Sequence, residues 1–356
     1  QTRIATDDAA ETRAEVRALL AEVGSNRVKL AEAGLITPHW PAPYGRGASA
    51  IEQLVIDEEF AAAAIERPDL VIGAWALPPI LEHGTDDQRE RFVAPTLRGD
   101  IEWCQLFSEP GAGSDLASLR TKAVRDGDGW RLTGQKVWTS RGHVSDWGIC
   151  LARTNPDAKP HKGITYFLVD MRSEGIEIRP LRTLTGDALF NEVFLDDVFV
   201  PDDCVVGEVD HGWPLARTTL ANERVAISGS SLGVSVELAL SLAGEAPGEV
   251  LRLRLGEAVA AAATSKALGL RATLRTITGQ GPGSESSVQK LVGVAQRQNA
   301  AELAFTLLEQ DVLLGGEHSA QAINEALVTR CLSIAGGTTQ VLRNVVAERI
   351  LGLPRD

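Results

Sequence analysis

Three stretches carry side chains whose type and order could do chemistry. Residues 103–115 (WCQLFSEPGAGSD) run from apolar residues into a Pro-Gly-Ala-Gly loop closed by Ser114 and Asp115. Such a loop offers closely spaced backbone N–H groups and small hydroxyls, which suit an anionic or carbonyl-rich ligand. Residues 134–142 (GQKVWTSRG) place Trp138 two positions before Ser140. In an extended segment those side chains share a face, so one could cover a ring while the other bonds its edge. Taken singly, each run reads equally well as a turn and a core Trp. The third stretch, LANER at 220–224, sets Glu223 at helical spacing from Leu220 and Ile227. A carboxylate on such a stripe is costly unless it is paired or functional, so a salt bridge to another helix and a general base both remain open.

The elements that must position these residues fall into three zones. Residues 1–102 read as an N-terminal helical domain, with helical spacing over Ala9 to Val23, Ala50 to Ile65 and Asp86 to Leu97. Thr6-Asp-Asp8 supplies capping candidates, and Ile80 to Gln88 reads as a helix end, a Gly stop and a capped restart. Pro41 to Gly47 holds four Pro/Gly breakers and must be a loop. His39 and His83 are isolated and suggest no ligand cluster. Residues 103–210 change to a period of two. A hairpin is expected with strands at Lys122–Arg125 and Trp130–Thr133. Further strands fall at Trp147–Ala152, Ile164–Asp170, Ile176–Pro180 and Glu192–Leu195, and Asp196–Asp203 leads out of them. This predicts a small β-barrel or folded sheet. Residues 211–356 are again helical, over Leu215–Ala243, Val250–Thr278, Ser287–Leu314 and Ala322–Ile334, which suits a four-helix bundle with a polar loop at Gly279–Ser284. The fold class is thus α+β, multi-domain.

Composition narrows the function classes. The chain has 356 residues, 44% hydrophobic and 23% charged, with a net charge of −13. That balance argues against nucleic acid or an anionic membrane surface as the main partner. No apolar run approaches the ~18 residues of a membrane span, and no signal peptide opens the chain. Cys104, Cys150, Cys204 and Cys331 are widely spaced without metal-ligand rhythm, so no metal site is expected; they read as reduced thiols of a cytoplasmic protein. The chain opens on Gln1 and its single Met is Met171, which suggests a trimmed chain or half of a longer reading frame.

Taken together and in this order, the WCQLFSEPGAGSD and GQKVWTSRG runs resemble the flavin-binding core of the acyl-CoA dehydrogenase family. The resemblance extends over nearly the whole chain, to the Pro-x-x-Tyr-Gly loop and to Arg343–Gly352, similar to the family's C-terminal helix. It implies an N-terminal helical domain, a middle β domain and a C-terminal helical bundle. The implied cofactor is FAD, the substrate an acyl-CoA thioester and the electron acceptor an electron-transfer flavoprotein.

Carried over residue by residue, Phe107 and Ser108 would bind the pyrimidine side of the flavin, with Trp138 against the isoalloxazine and Ser140 near N5. Ser114 would contact flavin phosphate or the CoA arm, and Thr338 and Gln340 the dinucleotide part. Most relatives carry their catalytic Glu directly before a Gly-Thr near the C-terminus; here that position is Gly336, in IAGGTTQVLR. The isovaleryl- and long-chain-type branches instead place the base on the long helix after the β domain, directly before an Arg, as Glu223 stands before Arg224. The resemblance therefore implies Glu223 as base for the α-proton, Arg224 beside it at the substrate, flavin N5 as acceptor of the β-hydride, and the Gly336 N–H as a donor to the thioester oxygen.

Two departures touch the flavin site. The usual Arg-x-x-Phe-Gly stretch, whose Arg binds FAD of a neighbouring subunit, is replaced by GEAPGEVLRLR at 244–254, and Val312 stands where a Gln is usual. A partner subunit could complete the site, or the chain could be a non-catalytic subunit. An oxidase or flavin-dependent hydroxylase on the same fold is a further alternative. GPGSESSVQKL at 281–291 and the Ala-Gly-Gly-Thr end resemble a bacterial subgroup acting on steroid side-chain CoA thioesters, in β-oxidation-type lipid metabolism, as α2β2 assemblies or fused tandem chains. A homo- or hetero-oligomer, such as a dimer of dimers, is implied.

Overall fold

A computed structural model describes residues 7–228, 233–245, 247–277, 285–316 and 318–355. The capping candidate Thr6 and the loop at 279–284 lie outside them. The chain divides into two compact units, Gln1–Leu181 with Leu189–Thr219 and Arg182–Ala188 with Leu220–Asp356.

The first unit begins with five helices: α1 (Asp7–Val23), α2 (Arg27–Glu32), α3 (Ala50–Ala62), α4 (Gly73–His83) and α5 (Asp86–Arg98). Helices α3 and α5 start at full capping boxes, Ser49 with Glu52 and Thr85 with Gln88, so the polar groups of each first turn are satisfied locally. The expected stop and restart around Gly84 is therefore present. Helix α2, of six residues, was not legible as a separate element, and of α4, which carries Pro78 and Pro79 inside it, only the end from Ile80 was.

Eight strands follow: β1 (Trp103–Leu106), β2 (Lys122–Asp126), β3 (Gly129–Ser140), β4 (Trp147–Arg153), β5 (Ile164–Asp170), β6 (Ile176–Leu181), β7 (Phe190–Pro201) and β8 (Val205–Val206). They form one folded sheet in the order β6-β7-β3-β2-β4-β5-β8, with β1 parallel to β4. The hairpin expected at Lys122–Thr133 is present, and Gly127, at φ 56°, makes its turn. Residues 196–201 do not leave the sheet as expected. Asp197 takes φ 57° in a bulge opposite β3, and β7 continues to Pro201.

Helix α6 (Gly212–Ser228) leads into the second unit, which contains α7 (Val234–Leu242), α8 (Glu249–Ile277), α9 (Glu285–Leu307), α10 (Asp311–Leu314), α11 (Ser319–Val328) and α12 (Thr339–Arg349). The single helix expected over 215–243 is interrupted, because Gly233 sits at φ 86°, which no helical residue adopts. The pattern over 287–314 likewise breaks at Glu309, at φ 45°. The core of this bundle joins Leu238, Leu255, Leu303, Leu308 and Ala322. Arg297 of α9 pairs with Glu325 of α11 at 3.3 Å.

All four cysteines are free. Burial pushes the Cys150 thiol up to about 11 and the Cys204 thiol up to about 12, so both stay protonated at neutral pH. Among the described residues no helix is long and apolar enough to cross a membrane.

Candidate active site

In the first unit the site residues are gathered by β3 and the loop after β1. Glu109 and Ala112 exchange backbone hydrogen bonds of 2.9 and 3.1 Å, which closes the Pro-Gly turn. A Cβ built on Gly111 or Gly113 would meet nothing within 4 Å. Both glycines thus border open space that another molecule's atoms can approach closely. Ser114 is exposed on the same loop. Ser108 accepts at its carbonyl from the Val137 N–H at 2.9 Å, so Phe107 and Ser108 lie directly beside the second motif.

That second motif is not regularly extended. The register of β3 on β7 shifts between Lys136 and Thr139, and Trp138 takes φ 60°. The alternation expected to put Trp138 and Ser140 on one face is therefore broken at Trp138. The buried Asn191 amide donates to the Thr139 carbonyl at 2.9 Å and holds the bulge. Its consequence is an indole 62% exposed with Phe190 edge-on at 6.0 Å, beside a half-buried Ser140. An exposed Trp forced outward by a bulge is unusual for a protein core and suits an aromatic ligand.

Beneath this surface lies a group the sequence reading passed over. Lys136 is fully buried, and its ammonium donates to the Phe107 carbonyl (3.2 Å), the Leu151 carbonyl (2.8 Å) and Glu109 Oε1 (2.9 Å). Glu109 also accepts from the Arg120 and Thr121 N–H groups at 2.7 and 2.9 Å. Burial pushes the Glu109 carboxyl up, but the Lys136 charge and these hydrogen bonds outweigh it and hold the group below its ordinary value. The signal for Lys136 was its parity, since it shares an inward face with Trp130 and Leu132.

In the second unit, residues far apart in sequence come together. The Arg224 Nε donates to the Gly336 carbonyl at 3.1 Å, and Lys290 Nζ donates to the Gly337 carbonyl at 2.6 Å. Gly336 and Gly337 take φ 65° and 102°. A Cβ on Gly337 would press on Leu342 at 3.3 Å. Glu223 is half-buried, and its charge acts on both cations. Burial lowers Lys290 from its ordinary value, and the neighbouring Arg224 lowers it further. Thr338 is the N-cap of α12, accepting from the Val341 N–H at 3.2 Å, and Gln340 is exposed in that helix's first turn. Lys290 too was legible by spacing, lying on the buried stripe of Ser287 and Val294.

Family models match along the chain: "Acyl-CoA dehydrogenase, N-terminal domain" at residues 4–100, "middle domain" at 104–198 and "C-terminal domain" at 210–351. The chain belongs to the acyl-CoA dehydrogenase family. It is similar to acyl-CoA dehydrogenase FadE34 of Mycobacterium tuberculosis, 59% identical over 355 residues, covering 98% of this chain and 49% of that protein. The chain thus spans about half the length of that relative. Acyl-CoA dehydrogenase IpdE1 of the same organism is 40% identical, covering 92% of this chain and 87% of the relative. Among solved structures, the ChsE4–ChsE5 complex from Mycobacterium tuberculosis aligns over 100% of both chains with TM-score 0.80 and 31% identity. A structure titled "Tcur3481-Tcur3483 steroid ACAD" aligns over 100% of both chains with TM-score 0.80 and 26% identity.

Proposed function

We propose that this chain carries out α,β-dehydrogenation of an acyl-CoA thioester with FAD as cofactor, and that Glu223 is the base. The observation that carries this reading is the hydrogen bond from Arg224 to the Gly336 carbonyl. It ties the residue next to Glu223 to the position where most relatives keep their catalytic carboxylate. The absence of a carboxylate at Gly336 and its presence at 223 are then two halves of one arrangement.

The residues present fit a flavin. The outward indole of Trp138 offers an aromatic face, Ser108 and Ser140 offer hydroxyls beside it, and the open Gly111–Gly113 loop offers N–H groups to phosphate. Thr338 and Gln340 would hold the dinucleotide part. Bound FAD would supply the acceptor for the β-hydride. The chain's own task is to take the α-proton onto a Glu223 carboxylate oxygen. Meanwhile the N–H groups of the Gly336 turn steady the negative charge that grows on the thioester oxygen. Arg224, already bonded to the turn, holds its shape rather than donating a proton.

The relatives named for steroid chemistry support a bulky steroid side-chain CoA thioester as substrate. We read 1–102, 103–210 and 211–356 as the three functional parts. An electron-transfer flavoprotein as acceptor and a cytoplasmic location complete the proposal. The ChsE4–ChsE5 relative, a complex of two proteins, supports a heteromeric assembly. Leu313 and Leu314, 88% and 76% exposed, are suited to cover by a partner subunit.

The test is an anaerobic visible spectrum of the purified chain with straight-chain and steroid CoA thioesters, run beside Glu223→Gln. Flavin that bleaches with one thioester in the parent alone supports both reaction and base. Equal bleaching in the variant sinks Glu223. A colourless protein moves the cofactor site, and with it the reaction, to a partner subunit.

A further inference from the structure

The Gly336–Gly337 turn combines two properties that conflict. Both residues occupy positive φ, where glycine is free, and a Gly-Gly pair is the softest backbone a chain can build. Yet its N–H groups must be fixed if they are to stabilise charge at a defined point. Two side chains, one buried and one half-buried, resolve the conflict. Lys290 is only 1% exposed and spends a hydrogen bond of 2.6 Å on the Gly337 carbonyl, while Arg224 bonds the Gly336 carbonyl.

In a trans peptide the C=O and N–H point in opposite directions. Fixing the Gly336 carbonyl therefore aims the Gly337 N–H away from Arg224. Fixing the Gly337 carbonyl aims the Thr338 N–H away from Lys290. Helix α12 starts at the next residue, so the positive end of its dipole adds to the two cations. Among the described residues, two full positive charges and a helix N-terminus thus converge on three consecutive residues, with the Glu223 carboxylate opposing them. A neutral donor would have sufficed to hold a carbonyl. The choice of desolvated cations is costly, and it makes sense where a negative charge must appear nearby during reaction.

We propose that Lys290 is a positioning residue for this reaction, clamping the Gly336–Gly337 turn together with Arg224 so that the Gly337 and Thr338 N–H groups and the positive field of the turn meet the developing oxyanion. The proposal rests on the reading of the turn as oxyanion site given above.

The experiment compares the full chain with Lys290→Met and Lys290→Arg. Backbone hydrogen exchange over residues 334–342 is measured by mass spectrometry, together with kcat and KM for a thioester that bleaches the parent flavin. In the Met variant exchange of the turn is expected to quicken about 10-fold or more. Its kcat should fall on the order of 10- to 100-fold with KM nearly unchanged, since the loss of one oxyanion donor costs on the order of 100- to 1,000-fold. The Arg variant, which keeps a charged donor, recovers part of both and also decides the matter should the Met variant fail to fold. Unchanged exchange in Lys290→Met overturns the clamp whatever the activity. Faster exchange with unchanged kcat overturns its role in the reaction. Should no thioester bleach even the parent, the dehydrogenase reading fails, and the oxyanion role falls with it; the exchange result still decides the clamp.

Discussion

Two buried lysines do the same geometric job in the two units, and they are embedded in opposite ways. Lys136 in the first unit and Lys290 in the second each hold a loop by its carbonyls. Lys136 is matched by the Glu109 carboxylate, and its three donors have three acceptors. Lys290 instead lies beside another cation, Arg224, and its nearest compensating charge is Glu223, the proposed base. The first arrangement is built for permanence: a closed, neutral cluster under the Phe107–Ala112 loop. Among the described residues the second carries more positive than negative charge, which costs folding energy and suits a place where an anion forms. A fold can thus use one residue type as mortar in one place and as an electrostatic device in another, and the partner decides which.

The sharpest way to break this contrast is to remove each charge in turn. Lys136→Met leaves Glu109 buried without its cation and takes the ammonium donor from the Phe107 and Leu151 carbonyls. The expected loss is about 3–5 kcal/mol of stability, the usual cost of breaking a buried pair from one side. Adding Glu109→Gln should return a substantial part, giving a coupling energy readable from a double-mutant cycle in urea denaturation. Lys290→Met removes a desolvated charge that, among the described residues, pairs directly with no carboxylate. Its cost should be smaller by about 2 kcal/mol or more. Equal losses at the two sites would erase the distinction.

The two clusters should also separate along the pH axis. The folded Glu109 carboxyl lies below its ordinary value of 4.5, so the unfolded chain binds more protons in that window. Its stabilisation is complete above pH 4.5 and is lost as pH falls through the folded value. Lys290 is lowered from 10.5, so the unfolded chain again holds the extra proton, now on the alkaline side. Stability should therefore rise as pH climbs from the folded value of Lys290 towards 10.5, and Lys290→Met should abolish that rise. Denaturation midpoints at a series of pH values check both arms. An acid arm that survives in the Lys136→Met, Glu109→Gln pair would remove Glu109 as its source.

Much of this was legible in the sequence, and the misses have physical causes. The strands β2, β4, β5 and β6 and the helices α1, α3, α5 and α8 follow from composition and periodicity: β4 and β5 are apolar runs buried on both faces, β6 alternates, and one period runs through each helix. The breaks at Gly233 and Glu309 were missed because apolar spacing continues across them while φ does not. The bulge at Trp138 was missed for a related reason: alternation assumes extended backbone, and the residue that leaves it is a Trp, not a Gly. Lys136 and Lys290 lay inside motifs already singled out. Each sat at a position whose period pointed inward, the same argument that picked out Glu223, but a lysine is ordinarily read as solvated. The pairing of Arg224 with Gly336 spans 112 residues, and no local pattern carries it.

The smallest expected effect tests the far end of the clamped turn. Thr338 follows Gly337 and caps α12 through its hydroxyl, accepting from the Val341 N–H. Thr338→Ala should cost about 1 kcal/mol, the ordinary value of an N-cap, measured by urea denaturation. The comparison between the two lysines gives this modest number its use. If Lys290 and Arg224 alone fix the turn, the cap matters only to α12, and exchange at Gly336 and Gly337 stays slow in the variant. If the turn is held equally from its helical side, exchange there quickens along with that of α12. Slow exchange in Thr338→Ala beside fast exchange in Lys290→Met would assign the rigidity of the turn to its cations, leaving the Thr338 hydroxyl a local role at the helix start.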